Sequence, residues 1–491
     1  MSVSNFVAAI VARRGERVRR EGPALGVSVP RIRRFPHVPF APELTSGSAP
    51  FLICEIKRRS PSGGEIALGL KAGSQADRYL AAGVRRLSVL TEEDHFAGSL
   101  ADLMEVKARH PGCAVLRKDF LLDERDLQLS ERAGADAVLL IAALHDAPTL
   151  ARLYRRAREL GLEVLVEVHD PEDLDKIRVL RPRLVGVNSR DLRTFRLDPL
   201  GALALRSRVD WPACTIFESG IGSREQALVA LSAGFEGLLV GEAAVRRPEL
   251  VGELQQVLAS PLIDRRFWPR LAARRTVRRA ENRPLVKVCG LARAEDARLA
   301  CELGADLLGF VFAPSPRQAH PALLRELRGL PALKVAVVVG ERTGSEALDP
   351  RVGELLQQGL LDALQLHGEE QAERCFEVGF PYYKAVRIRG PEEVQSVRRY
   401  RCPRVLADAW SEAARGGTGQ RIQAELAAEL AGQGPLWLAG GLGPDNIREV
   451  IRLFNPELID ASSRLERFPG QKDRTLMERY FAELEAAGEE A

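Results

Sequence analysis

Ionisable side chains recur at one kind of place in the first half of the sequence, at the ends of short apolar runs typical of β-strands. The run "FLICEIK" places Glu55 and Lys57 on the strand face of Ile53, because side chains alternate along a strand. Polar residues end four later runs in the same way: Lys118, Glu167, Asn188 and Glu218. Carboxylates and amines that face each other could exchange protons and bind a charged substrate.

A simpler interpretation exists for each of these residues taken alone. A charged residue at a strand end is more often a solvated loop residue or half of a structural ion pair. Six such residues are harder to explain in that way, because a desolvated charge is costly unless it is paired. The sequence therefore predicts that the two lysines and three glutamates pair with each other or with substrate.

The second half of the sequence carries a different set of reactive side chains. Lys287 and Cys289 share the inward face of one predicted strand, and Asp408 ends another. A single cysteine is usually a small buried hydrophobic residue, but a lysine beside it can lower the thiol pKa and make it a plausible base. Arg317, in "SPR", can bind a phosphate or a carboxylate through two parallel hydrogen bonds.

The elements that must position these residues repeat regularly. Eight short β-rich runs lie between residues 51 and 242 and eight more between 285 and 463, with amphipathic helical segments between them. Eight strands alternating with helices in about 200 residues favour a closed parallel barrel over an open sheet. We therefore predict an α/β fold of two tandem (β/α)8 TIM barrels, the first with an extra N-terminal helical segment.

Small residues follow the late strands of both predicted barrels, in "ESGIGS", "VGEAAVRR", "GGTG" (416–419), "LAGGL" (438–442) and "DASSRLE" (460–466). Backbone N–H groups can approach an anion closely there. A glycine turn alone is a weak signal. In this position it favours a sugar phosphate, since the loops after strands seven and eight commonly bind a phosphate in such barrels.

The length of 491 residues is ordinary for two domains. We predict a first domain over 1–262, a basic linker over 263–283 and a second domain over 284–491. The arginine run of the linker could meet RNA or acidic lipid, but a solvated connection is the simpler interpretation. The net charge of +4 implies no polyanionic partner.

Cysteine usage and hydropathy indicate the cellular compartment in which the protein is expected. The seven cysteines form no CxxC pair and have no histidine at metal-ligand spacing, which indicates reduced thiols. The N-terminal apolar run is too short for a signal peptide, and no run of about 18 apolar residues occurs. We expect a cytoplasmic protein that binds neither nucleic acid nor membranes. A monomer is expected, and an oligomer stays open.

Eight motifs follow one another in the first half: "EIKRRSPSGG", "LTEEDHFAGS", "VLRKDF", "GADAVLLI", "LVEVHD", "GVNSRDL", "FESGI" and "LLVGEA". In this order they resemble indole-3-glycerol phosphate synthase over nearly its whole length. The resemblance implies closure of an indole ring with loss of carbon dioxide and water. It assigns Lys118 as general acid on the ketone oxygen and Glu167 as the matching acid or base in the dehydration.

The same resemblance implies roles for further residues. Glu55 and Asn188 would position and polarise the intermediate, while Lys57 would bind the anthranilate carboxylate or a phosphate as the ring closes. Phe96 and Phe120 would stack on the anthranilate ring, although ordinary core positions explain them equally well. The remaining implied residues are Arg190, Glu218 and Ser219 beside the site, and Ser60, Gly220 and Gly241 in the phosphate cradle.

Six motifs of the second half, "VKVCGL", "LGFVFAPSPR", "LQLHGEE", "DAWSEAARGGTG", "LAGGLGPDNI" and "DASSRLERFPGQKD", resemble phosphoribosylanthranilate isomerase. That family opens a ribose ring and performs an Amadori rearrangement to an aminodeoxyribulose phosphate. The resemblance makes Asp408 the general acid on the ring oxygen and Cys289 the base at C2. It further implies Arg317 for the carboxylate or enamine side, His367 for the mouth of the site or a structural role, and Gly440, Gly441, Ser462 and Ser463 for the phosphate.

Taken together, the chain looks like a fused two-domain enzyme of tryptophan biosynthesis acting on phosphosugar–anthranilate substrates. Neither a metal nor an organic cofactor is expected, because acid–base groups and a cation suffice for these steps. Two departures from the isomerase pattern leave alternatives open: Arg464 replaces a glycine, and "RIQ" (421–423) replaces an aromatic "FDW". Either only the synthase is active, or the second barrel is a phosphosugar-binding or interaction module. Retention of Cys289 and Asp408 argues against the module.

Overall fold

The computed structural model describes residues 5–42, 49–60, 64–191, 194–259, 266–340, 348–409 and 422–489. The chain divides into two compact units, Met1–Ile263 and Asp264–Ala491. No helix among these described ranges is long and apolar enough to cross a membrane.

The first unit is a closed barrel of eight parallel strands, in which each strand pairs with its sequence neighbours and the last pairs with the first. Its strands are β1 (Phe51–Ile56), β2 (Arg86–Leu90), β3 (Ala114–Lys118), β4 (Ala137–Ile141), β5 (Glu163–Val168), β6 (Leu184–Asn188), β7 (Cys214–Glu218) and β8 (Gly237–Val240). Inward apolar side chains such as Ile53, Leu165 and Ile216 fill the barrel.

Ten helices are described in the first unit: α1 (Asn5–Glu21), α2 (Ala72–Ala81), α3 (Leu100–Arg109), α4 (Glu124–Ala133), α5 (Ala147–Glu159), α6 (Pro171–Arg178), α7 (Pro199–Arg206), α8 (Arg224–Ser232), α9 (Glu242–Arg246) and α10 (Glu249–Ala259). Aspartate or serine side chains cap several of them, as Asp170 does by accepting the N–H of Asp173 at 2.9 Å.

The predicted N-terminal helical segment is α1, and it is tied to the loop after β3. The buried guanidinium of Arg14 pairs with Asp119 at 2.8 Å and with Asp126 at 3.0 Å. Arg17 pairs with Glu93, in the loop after β2, at 2.6 Å. These two loops carry Phe120 and Phe96, so α1 stabilises the loops that bear the predicted aromatic pair.

The second unit is another closed barrel of eight parallel strands, which confirms the predicted tandem (β/α)8 architecture. Its strands are β9 (Leu285–Cys289), β10 (Leu307–Val311), β11 (Leu333–Val338), β12 (Ala363–Leu366), β13 (Tyr382–Ile388), β14 (Val405–Ala409), β15 (Trp437–Ala439) and β16 (Leu458–Ala461). Its described α-helices are α11 (Phe267–Ala280), α12 (Ala294–Glu302), α13 (Pro321–Glu326), α14 (Pro350–Gln357), α15 (Pro391–Ser396), α16 (Ala424–Gln433), α17 (Ile447–Phe454) and α18 (Arg474–Glu489).

Helix α11 occupies most of the segment predicted as a solvated basic linker, and the structure differs from that prediction. Phe267 and Trp268 are buried, and their rings lie 6.4 Å from Tyr383 and 6.2 Å from Trp437, near the amino-terminal ends of β13 and β15. Arg278 of the same helix pairs with Asp306 at 3.0 Å. The apolar side chains of α11 pack on the second barrel, and part of its basic charge is neutralised there.

Candidate active sites

The carboxyl ends of β3, β5, β6 and β7 bring four of the predicted residues of the first unit together. Lys118 Nζ lies 3.1 Å from Glu167 Oε2 and donates a second hydrogen bond to Glu218. Asn188 Nδ2 donates to Glu167 Oε1 at 3.2 Å. Both carboxylates are buried. This is the paired arrangement that their inward strand positions predicted.

Glu55 and Lys57 form a second pair at the end of β1. Lys57 Nζ donates to Glu55 Oε1 at 2.9 Å and lies 5.8 Å from the centre of the Phe96 ring. The other oxygen of Glu55 is buried without a hydrogen-bond partner among the described residues. A side chain at Gly241 would place its Cβ 2.6 Å from Glu55 Oε1, so this loop packs directly on the carboxylate.

The two carboxylates that face Lys118 have pKa values shifted in opposite directions. Burial works against the ammonium, but Glu167, Glu218 and Glu55 outweigh it and raise the pKa of Lys118. Burial also opposes ionisation of Glu167, yet Lys118 and His169 hold its pKa well below the ordinary value. For Glu218, burial prevails over the attraction of Lys118 and, with the repulsion of Glu167, raises the pKa to about 8. Near neutral pH one carboxylate is therefore ionised while the other holds a proton.

The two predicted aromatic residues lie in the loops after β2 and β3. The rings of Phe96 and Phe120 are 6.3 Å apart at an interplanar angle of 45°. Both side chains are half-buried, and Phe120 also packs against the barrel core. The pair therefore combines a core contact with side chains that are still partly exposed.

The predicted phosphate cradle spans loops on three neighbouring strands, β7, β8 and β1. Ser219 and Gly220 both have a positive φ, of 66° and 80° respectively. The backbone turns sharply there, in a conformation that glycine adopts more readily than other residues. Ser60 is buried and donates to Glu242, just beyond Gly241, at 3.3 Å. These three loops follow neighbouring strands and contain the small residues Ser60, Gly220 and Gly241.

Arg190 lies in the loop after β6, beside the ionisable cluster. Its backbone N–H donates to Asn188 Oδ1 at 3.0 Å. Its guanidinium donates to the carbonyl of Phe195 at 2.9 Å, within the same loop. The backbone of Arg190 thus orients Asn188, which in turn contacts Glu167.

In the second unit, the buried ammonium of Lys287 lies 2.5 Å from Asp460 Oδ2 and 2.7 Å from Gln365 Oε1. Cys289 ends the same strand, two residues further on. Burial raises the thiol pKa of Cys289, and the opposing effect of Lys287 does not overcome it. The expected lowering of that pKa is therefore wrong, because burial outweighs the attraction of Lys287 and the negative charge of Asp460 opposes it further.

Asp408 is linked to this cluster by a row of polar side chains. His367 Nε2 lies 3.1 Å from Asp408 Oδ2, and His367 Nδ1 lies 2.7 Å from Gln365 Nε2. Gln365 in turn accepts from Lys287. The predicted acid and the strand of the predicted base are thus joined through His367, which contacts the acid directly.

Arg317 makes a bidentate ion pair with Glu466, at 2.9 Å from Nε to Oε1 and 2.8 Å from Nη2 to Oε2. Lys472 Nζ also donates to Glu466 Oε1 at 3.0 Å. A Cβ at Gly290, which has a positive φ, would lie 2.7 Å from Arg317 Cδ. The arginine is therefore packed beside Cys289 and already oriented by a carboxylate.

The predicted phosphate loops of the second unit follow β15 and β16. Gly440 and Gly441 have φ angles of 96° and 61°, and Ser462 Oγ donates to the carbonyl of Cys289 at 3.0 Å. Ser463 begins a short 3-10 turn, Ser463–Leu465. The exposed Arg464 reaches Asp445 at 3.4 Å. The "GGTG" motif (416–419) and residue 421 lie outside the described residues.

Five residues of these clusters escaped the sequence analysis: His169, Gln365, Asp460, Glu466 and Lys472. Gln365 and Asp460 each interrupt an apolar strand, "ALQL" and "LIDA", which is the signal that identified Glu55 and Lys118. His169 follows Glu167 by two residues and shares that signal. Glu466 begins a short strand, Glu466–Phe468, in the segment after β16, where no periodic pattern points to it.

Comparison with known proteins matches both units to families. Residues 8–257 match the model for indole-3-glycerol phosphate synthase, and residues 286–483 match that for N-(5′-phosphoribosyl)anthranilate isomerase. The tryptophan biosynthesis protein TrpCF of Yersinia pestis is 33% identical, over 87% of this chain and 83% of its own length.

Two fungal multifunctional tryptophan biosynthesis proteins are also similar. The protein of Phycomyces blakesleeanus is 31% identical over 96% of this chain and 68% of its own length. That of Schizosaccharomyces pombe is 30% identical over 90% of this chain and 61% of its own length. The chain thus spans about two thirds of the length of these fungal relatives.

Proposed function

The chain belongs to the bifunctional tryptophan-biosynthesis family that joins indole-3-glycerol phosphate synthase to phosphoribosylanthranilate isomerase, and we propose how its residues carry the two reactions. The first unit is the synthase and the second is the isomerase. This membership confirms the resemblance that the motifs indicated. A cytoplasmic location and a monomeric state stay predictions.

For the isomerase step, Asp408 protonates the ring oxygen of phosphoribosylanthranilate as the ribose opens. Cys289 then removes the proton from C2, and the enamine rearranges to the aminodeoxyribulose phosphate. The position of Cys289 at the carboxyl end of β9, on the strand of Lys287, supports this role, although its raised pKa keeps the thiolate a minor form near neutral pH. His367 orients Asp408, and Arg317 binds the anthranilate carboxylate by exchanging its contact with Glu466.

The phosphate end of the isomerase substrate is assigned to Gly440, Gly441, Ser462 and Ser463. Their loops follow the last two strands, where positive φ angles at both glycines turn the backbone sharply. Arg464 pairs with Asp445 at the surface, so no observation favours the alternative of a weakened isomerase.

For the synthase step, Lys118 donates a proton to the ketone oxygen as the indole ring closes. In the later dehydration Lys118, protonated again from solvent, gives a proton to the hydroxyl, which leaves as water, and Glu167, held ionised, accepts the proton that the ring loses. Protonated Glu218 keeps its hydrogen bond to Lys118. Lys57, paired with Glu55, stabilises the anthranilate carboxylate until carbon dioxide leaves. The observation that carries this assignment is the position of Lys118 between the buried carboxylates of Glu167 and Glu218.

The remaining synthase contacts surround this cluster. Phe96 and Phe120, which are both half-buried, stack on the anthranilate ring. The loops that contain Ser60, Gly220 and Gly241 bind the phosphate. Arg190 and Ser219 flank the site and orient its polar groups, as the contact of Arg190 with Asn188 illustrates.

The test of the isomerase assignment is the Cys289→Ala variant, with substrate and both products separated by chromatography. Phosphoribosylanthranilate consumption should fall at least about a hundredfold, because a positioned acid or base contributes on that order. Cys301→Ala is the matched control, since Cys301 is the other half-exposed thiol of this unit. Unchanged turnover by Cys289→Ala would show that the base is another residue.

A further inference from the structure

A row of alternating charges runs from helix α6 to the centre of the synthase site. Lys176 lies 3.0 Å from Asp173 Oδ1, and Asp173 Oδ2 lies 3.6 Å from His169 Nδ1. On its other side, His169 Nε2 lies 3.1 Å from Glu167 Oε1. Glu167 then faces Lys118. Only 6% of the His169 side chain is exposed.

The imidazole of His169 is therefore held between two carboxylates. Neither ring nitrogen meets hydrogen-bond geometry with any partner among the described residues, so the two carboxylates are its nearest charged contacts. A neutral ring could donate to only one of the two. A protonated ring faces an anion on each side, so the geometry favours the imidazolium.

We propose that His169 is a positioning residue of the synthase reaction: as an imidazolium held by Asp173, it keeps Glu167 ionised and directed at Lys118. The proton shared by the two buried carboxylates then stays on Glu218. The inference rests on the proposed function of the first unit.

The charged groups around His169 support this division. Glu167 and Asp173 face the ring directly, Lys176 lies behind Asp173, and Lys118 with Glu218 lies beyond Glu167. Burial opposes the imidazolium, but Asp173 and Glu167 outweigh it and raise the pKa of His169 to about 9. Two buried carboxylates beside one ammonium would otherwise compete for a single proton.

The contact of His169 with α6 has a structural part that can be separated from its charge. The backbone N–H of His169 donates to Asp173 Oδ2 at 3.2 Å, and Asp170 caps the helix. A side-chain substitution at His169 leaves both bonds in place. The proposed effect therefore belongs to the ring alone.

The experiment measures the pH dependence of synthase kcat for His169→Gln, a neutral residue that can still donate to Glu167. Glu167 must be ionised to accept a proton, so the acidic limb of the profile should move upward by about one pH unit. At a fixed pH on that limb, below the pKa in both proteins, kcat should fall about tenfold, with KM within about twofold. Asp173→Asn should shift the limb in the same direction by a smaller amount.

His145→Gln is the matched control. His145 is another buried histidine of the first unit, but its ring contacts a backbone carbonyl, that of Leu121 at 3.1 Å, rather than a carboxylate. Its profile should coincide with that of the wild type.

A second readout uses the unmodified protein. The imidazole proton resonances of His169, identified by their absence in His169→Gln or by their shift in Asp173→Asn, should remain those of the cation through pH 7. A neutral ring at pH 7 overturns the proposal. Acidic limbs that coincide for wild type, His169→Gln and Asp173→Asn would also overturn it. A uniform loss of kcat without a shift of the limb would do the same. A wild type that forms no indole product refutes the proposed synthase function instead.

Discussion

At the scale of single residues, two buried carboxylates of the synthase site, Glu167 and Glu218, have different pKa values. Glu167 contacts Lys118, Asn188 and His169, all of which favour its charge. Among the described residues, Glu218 has Lys118 as its cationic partner and faces the Glu167 carboxylate, and its second oxygen is buried without a hydrogen-bond partner. Local partners, rather than burial itself, therefore separate the acid from the base.

The Glu218→Gln variant tests this separation. Its pKa of about 8 leaves Glu218 protonated below that pH, and deprotonation above it adds a second anion beside Glu167. We expect the alkaline limb of the wild-type kcat/KM profile near pH 8 to be absent from Glu218→Gln, because glutamine keeps a neutral amide there. Measurement from pH 6 to 9.5 decides the point, and a limb retained in the variant would assign it to another group.

At the scale of elements, the sequence predicted the strands well because barrel strands are covered on both faces and stand out as apolar runs. Polar residues at strand ends identified Lys118 and Glu167 for the same reason. Helix α11 was not predicted as part of the barrel because its arginines indicated a solvated linker, although the segment also contains the apolar residues Phe267, Trp268 and Leu271. The ion pair of Arg317 with Glu466 was also unpredictable, since it joins loops 149 residues apart.

The Trp268→Ala variant tests whether α11 is part of the second barrel. Removal of this buried ring, 2% exposed, should lower the free energy of unfolding of the second unit by about 3–5 kcal/mol through lost burial and a cavity. The change is measured by urea denaturation, with isomerase activity as the signal that reports unfolding of the second unit. Val277→Ala on the same helix, 56% exposed, should cost less than about 0.5 kcal/mol. Equal effects of the two substitutions would place Trp268 in a solvated segment.

At the scale of the whole molecule, two similar barrels perform different chemistry with different strand-end residues. In the proposed assignment the synthase uses a lysine between carboxylates, and the isomerase uses a thiol and an aspartate joined through His367 and Gln365. Every residue assigned to one reaction lies within one unit. Loss of one site should therefore leave the other active.

The Lys118→Ala variant, supplied with phosphoribosylanthranilate, tests this account most directly through identification of the product that accumulates. The variant should consume the substrate at close to the wild-type rate and stop at the aminodeoxyribulose phosphate, with indole-3-glycerol phosphate reduced at least about a hundredfold. Loss of both steps together in a folded protein, or indole formation at the wild-type rate, would contradict the account.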